Sequence, residues 1–131
     1  MAKALGVDAT ICVPEWADPV KVSAMIADGA EVLLAGDSYD LAEERAETIC
    51  VDEGRTLIHP FDDPLVIAGQ GTLGAEIVEV LPDVAEIVVP LSGGGLAGGV
   101  ASAAKELQPA LTITAVSAEK AAVMLASLEA G

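Results

Sequence analysis

Short apolar runs bounded by glycine, proline or acid recur along this chain, each followed by a longer stretch of mixed apolar and polar residues. That alternation predicts strands and helices in turn. Met1 to Leu5 reads as the end of a helix stopped by Gly6. Ala9 to Val13 reads as a strand stopped by Pro14, and Asp18 as the cap of a helix from Pro19 to Asp28 that Gly29 closes. Glu31 to Ala35 is the next predicted strand. Ser38 or Asp40 then caps a helix reaching about Val51, and Gly54 ends it. Thr56-Leu57-Ile58 is expected to be a third strand. A β-α-β-α-β order implies parallel strands joined by right-handed crossovers.

The pattern restarts after His59-Pro60-Phe61-Asp62-Asp63-Pro64, the one candidate boundary between subdomains. Pro64 to about Glu79 predicts a helix, although Gly69, Gly71 and Gly74 lie on it. Each glycine loses about 1 kcal/mol against alanine in a plain helix, so close packing or a ligand is expected at all three. Glu86 to Pro90 predicts a buried parallel strand, Leu96 to Leu107 a helix, Leu111 to Val116 a strand and Lys120 to Glu129 a last helix.

Between the buried strand and its helix lies Ser92-Gly93-Gly94-Gly95, a turn with almost no side chains. A strand, a glycine turn and a helix N-terminus gather free N–H groups and the positive end of the helix dipole, an arrangement suited to a phosphate. No Gly-Lys-Ser/Thr follows, so this is not a Walker loop. No acid stands where a dinucleotide site needs one for the ribose. The competing reading is a tight turn with a small-residue packing face.

Composition and charge narrow the function classes. The chain has 131 residues, 53% of them hydrophobic, which is enough for a core. Its apolar runs are too short and broken to predict a membrane span, and its first residues lack the basic-then-apolar order of a secretory signal. Twenty-one acids against six Lys and Arg give a formal charge of −15, which opposes nucleic-acid binding. An excess of that size is best tolerated where salt screens it, so a salt-rich cytoplasm is expected. Cys12 and Cys50 lie in apolar segments and are expected to be buried and reduced.

Three segments in order, His59 to Pro64, Ile67-Ala68-Gly69-Gln70-Gly71-Thr72 and Val89 to Gly98, resemble the threonine/serine dehydratase family, whose relatives include serine racemase and hydroxyectoine-utilisation dehydratase. The resemblance covers essentially the whole chain. It implies an α/β fold of parallel sheets with flanking helices, part of the two-domain fold-type II (tryptophan synthase β-like) architecture, with residues 1–58 in the small domain and 59–131 in the large one. It also implies pyridoxal 5′-phosphate as cofactor. Ser92, Gly93, Gly94, Gly95 and Leu96 would wrap its phosphate, serine replacing the family's usual first glycine. Phe61 and residues 69–72 would lie beside the cofactor cleft. The implied reaction converts a small hydroxy amino acid into a 2-keto acid and ammonia, in a homo-oligomeric enzyme.

Other family features find no match. The Ser-Phe-Lys-x-Arg segment, whose lysine holds the cofactor, is absent, and so is the Ser/Thr-x-Asn-His loop, since the sequence contains no asparagine. The serine or cysteine facing the pyridine nitrogen would fall beyond Gly131. The chain therefore resembles an internal portion of such an enzyme, inactive alone. A non-catalytic phosphate-binding module and one half of a split enzyme are the alternatives. His59 is expected to be a satisfied turn residue and the Asp62-Asp63 pair to cap a helix. Where some family members place a metal-binding acid this chain has Ser117, with Glu119 as a weak substitute, so no metal is expected. Trp16 and Tyr39 are expected in loops covering the small domain.

Overall fold

The computed structural model describes residues 2–130, and contacts divide the chain into two units, Met1–Leu57 and Ile58–Gly131. In the first unit the order is α1 (Ala2–Leu5), β1 (Thr10–Val13), α2 (Pro19–Ala27), β2 (Glu31–Leu34) and α3 (Tyr39–Glu53). The strands pair in parallel, Thr10 opposite Glu31 through Val13 opposite Leu34, with α3 against β1 and α2 against β2. Asp18 caps α2 by accepting from the Val20 N–H at 2.8 Å, and the Ser38 hydroxyl caps α3 by accepting from Leu41 at 3.2 Å. Gly54 ends α3 at φ 66°, a left-handed conformation that glycine adopts without strain.

Three expectations fail in this unit. Thr56-Leu57-Ile58 is not a strand: β1 and β2 pair only with each other, and Leu57 and Ile58 are exposed. Cys12 and Cys50 are half-buried free thiols rather than core residues, because Cys12 lies on a strand with no fully buried position. Burial still pushes the Cys12 thiol above its ordinary pKa; Arg45 opposes this, while Cys50 and Glu31 add to it. Trp16 is 69% exposed and covers little. Its indole N–H instead donates to the Asp37 carbonyl at 2.8 Å, and Glu15 donates to Gly36 at 2.8 Å, so the segments leaving β1 and β2 are tied together. Tyr39 begins α3 and is not in a loop.

The second unit contains α4 (Pro64–Val80), β3 (Glu86–Pro90), α5 (Gly95–Leu107), β4 (Thr112–Val116), a 3-10 turn (Glu119–Ala121) and α6 (Val123–Ala130). Strands β3 and β4 are parallel, from Glu86 opposite Thr112 to Pro90 opposite Val116. Ile87 and Val89 point from β3 into a core shared with Ala97, Val100 and Ala104 of α5 and with Leu111. Val88, on the other face of β3, is 63% exposed. The continuous apolar run predicts burial on both faces, whereas the helices packed here bury only alternate residues. The last predicted helix is interrupted at Ala122, whose ψ of 51° separates the 3-10 turn from α6. Among the described residues no helix is long and apolar enough to cross a membrane.

Helices α4 and α5 are in intimate contact. A Cβ on Gly74 would lie 2.5 Å from the Val100 carbonyl oxygen, and one on Gly71 would lie 3.2 Å from that of Gly99. Gly99 faces the Ile67 carbonyl in the same way. Close packing therefore accounts for Gly71 and Gly74. Gly69 departs from the expectation, because nothing lies within 4 Å of its Cβ position. Asp63 starts α4 by accepting from Leu65 at 2.7 Å and Val66 at 3.1 Å, with Pro64 in the first turn. Asp63→Ala should lower the stability of this unit by about 1 kcal/mol. A urea midpoint equal to the parent's would show that the cap contributes nothing.

Candidate functional site

Parallel strands deliver ligand-binding loops at their carboxyl ends, and β3 ends at the glycine loop. Leu91 extends the pairing by one residue, donating to the Val116 carbonyl at 2.8 Å, while its own carbonyl accepts from the Ser117 hydroxyl at 2.9 Å. Both polar backbone groups of Leu91 are thus anchored to the end of β4. The Ser117 hydroxyl thus has a structural partner.

Beyond the anchor the chain turns sharply. Gly94 is the N-cap of α5 at φ 92°, and its carbonyl accepts the first helical bond, from Gly98, at 2.8 Å. Gly94 has no side chain to cap the helix. The N–H groups of Gly95, Leu96 and Ala97 therefore have no acceptor within the helix and none elsewhere among the described residues. No acid lies in the first turn of α5, and residues 87–104 contain no Asp or Glu at all, in a chain with 21 of them. An acid placed there would stabilise the helix by compensating its dipole. Without one, the terminus keeps its capacity for an anion.

Two side chains shape this loop. The Phe61 ring lies against Gly93, whose Cβ position is 2.5 to 2.6 Å from three ring carbons. The Phe61 backbone lies against Gly95, 2.7 Å from carbonyl oxygen to Cβ position. The Met124 Cε of α6 is 3.4 Å from the Cβ position of Gly94. Protein packing thus requires glycine at positions 93 and 95, and backbone conformation favours it at 94. Packing leaves the unpartnered N–H groups without an explanation. Ser92 is exposed, Gly93, Gly94 and Leu96 are half-buried and Gly95 is buried.

The sequence places Ser92 to Gly95 in a strand-to-helix turn with Leu96 opening the helix, and in the structure the helix begins one residue earlier, at Gly95. Sequence reasoning matched Phe61 to a cleft segment without showing what the ring touches. It missed Met124, because an apolar helix near the chain end carries no local sign of its long-range neighbour. His59 occupies a turn as expected: its Nδ1 accepts from Asp62 at 2.7 Å and more weakly from Phe61 at 3.3 Å. The Lys105 ammonium donates to the Leu111 carbonyl at 2.8 Å, near the opposite end of α5.

Known proteins resemble this chain in sequence and fold. Over 130 residues the chain is 45% identical to the L-threonine ammonia-lyase of Geobacter sulfurreducens, covering 99% of this chain and 32% of that protein. The processed form of threonine deaminase isoform 2 from Solanum lycopersicum superposes with TM-score 0.88 at 39% identity, over 98% of this chain and 38% of that one. Maize serine racemase superposes with TM-score 0.82 at 37% identity, over 87% and 35%. The chain thus spans about a third to two fifths of the length of such relatives. A family model described as pyridoxal-phosphate dependent enzyme matches residues 1–131, and the chain belongs to that family.

Proposed function

We propose that this chain supplies the phosphate-holding wall of a pyridoxal-5′-phosphate-dependent ammonia-lyase. Its substrate would be a small hydroxy amino acid of the threonine or serine type, and its products a 2-keto acid and ammonia. The observation that carries this reading is the set of unpartnered N–H groups on Gly95, Leu96 and Ala97 at the carboxyl end of β3. Relatives named as threonine ammonia-lyases, matched over nearly the whole chain, support the reaction class. In this reading Met1 to Ile58 belongs to the small domain and the rest to the large one, within a homo-oligomeric cytoplasmic enzyme.

The residues fit a phosphate monoester. The helix dipole and the backbone donors attract the dianion, Ser92 stands at the mouth with a hydroxyl to add, and no acid in the surrounding segment repels it. When bound, pyridoxal phosphate supplies the electron sink that makes a bond at the amino acid's Cα labile. This chain's contribution would be to hold and orient: the loop would fix the phosphate end of the cofactor, with its shape set by Phe61 against Gly93 and Gly95 and by Met124 beside Gly94. This sequence contains no Ser-Phe-Lys-x-Arg segment of the kind whose lysine would join the cofactor covalently. Catalysis is therefore assigned to the assembled enzyme, with this chain as one portion or as one half of a split enzyme.

Calorimetric titration with pyridoxal 5′-phosphate and with pyridoxal tests the phosphate site. Charge-assisted hydrogen bonds contribute about 1.5–3 kcal/mol each, so the phosphorylated form should bind at least about tenfold more tightly. Inorganic phosphate should compete with it. Equal affinities for the two forms would overturn the reading.

A further inference from the structure

The turn before α4 carries a device that the phosphate reading leaves unused. His59 Nδ1 accepts from the Asp62 N–H at 2.7 Å and from that of Phe61 at 3.3 Å, which folds residues 59–62 back on the imidazole. The His59 and Phe61 rings meet edge to face, with centroids 4.6 Å apart and planes at 86°. This turn sets the Phe61 ring over Gly93 and the Phe61 backbone beside Gly95. Gly93 and Gly95 offer no side chain through which the loop could hold its own shape. Its conformation is therefore imposed from outside, by Leu91 anchored to β4 on one side and by Phe61 on the other.

We propose that His59 is a positioning residue for the glycine loop: its Nδ1 acceptor fixes the 59–62 turn, and Phe61, so held, keeps Gly93 and Gly95 in the conformation from which α5 and its unpartnered amides begin. The consequence for phosphate affinity rests on the function proposed above; the effect on the loop does not. The imidazole acts here as an acceptor through Nδ1, not as a base toward substrate. An acceptor at the same place should suffice, and asparagine provides one, since its side-chain oxygen is as far along the side chain as Nδ1. The variant His59→Asn thus keeps the hydrogen bond and removes the ring, whereas His59→Ala removes both.

Two measurements on the intact chain separate the possibilities. The first needs no ligand: a Gly93 Hα proton directed at the Phe61 ring face should resonate upfield of its normal position. That upfield displacement should largely vanish in His59→Ala and survive in His59→Asn. The second is phosphate-dependent binding of pyridoxal 5′-phosphate. Losing a turn hydrogen bond of about 1 kcal/mol lowers the population of the competent loop, so His59→Ala should bind about fivefold more weakly, while His59→Asn stays near the parent. An unchanged Gly93 resonance in His59→Ala would overturn the proposal, and so would His59→Asn behaving like His59→Ala. If the resonances follow the expected order while the parent shows no preference for phosphate, the positioning role stands and the proposed function falls.

Discussion

Gly99→Ala should unfold at a markedly lower urea concentration than the parent chain, against the intrinsic preference of a helix for alanine. Propensity alone favours the substitution by about 1 kcal/mol. The new methyl group would, however, meet the Ile67 carbonyl oxygen, with the Gln70 Cβ and the Gly71 nitrogen each 2.9 Å away. Two of those three neighbours are backbone atoms of α4, which cannot rotate aside. The helices must separate, and separation also loosens Gly71 and Gly74, the other close contacts along the same seam. Overpacking of this kind costs typically about 1–3 kcal/mol, and here it falls on the most intimate helix pair of the unit. With the cost near the upper end of that range, a net loss of about 1–2 kcal/mol is expected, read as a lower midpoint at unchanged m-value. Gly69→Ala is the internal control. It lies on the same helix with open space around its Cβ position, so it should gain up to about 1 kcal/mol. If both variants shifted the midpoint the same way, propensity would govern these glycines and the close approach would be irrelevant.

That contrast shows how far the sequence is legible. Three glycines on one predicted helix look alike in a single chain, and only the partner helix distinguishes Gly71 and Gly74 from Gly69. Local chemistry carried more. Asp18 with Pro19, Asp63 with Pro64, Ser38 and Gly54 start or stop their helices where the caps predict, because a cap is satisfied by atoms two to four residues away. The four strands that have partners also lie where the apolar runs place them. Thr56-Leu57-Ile58 has the composition of a strand but no neighbour to bond, and a strand is a property of a pair. Val88 and the two cysteines fail for a related reason. Apolarity predicts a preference for burial, whereas burial requires something on that face. At the site, the loop was legible as an anion cradle from its glycines and the helix behind it. Phe61 and Met124 close around it through contacts some thirty residues away in sequence, which no periodicity encodes.

Gly93→Ala should separate binding from stability. The added methyl group would lie 2.5 to 2.6 Å from Cγ and both Cδ atoms of Phe61, inside the face of the ring. Gly93 is half-buried in a loop rather than in the core, so a shift of the loop should change unfolding by no more than about 1 kcal/mol. Phe61 is held by the His59 turn, so the loop must move, and the N–H groups of Gly95, Leu96 and Ala97 are displaced with it. The hydrogen bonds at stake are charge-assisted, and losing the alignment of one or two of them corresponds to about 2–3 kcal/mol, or a thirty- to hundredfold weaker grip on pyridoxal 5′-phosphate. Removing the obstacle should restore the fit, so Gly93→Ala combined with Phe61→Ala should bind better than Gly93→Ala alone despite carrying two changes. Such a positive coupling is what a steric clash produces, and a double-mutant cycle isolates it. Binding of pyridoxal itself should change little across the cycle, since it has no phosphate to be held. If Gly93→Ala weakened both forms equally, the loop would be acting on the cleft as a whole and the assignment of its amides to the phosphate would be wrong.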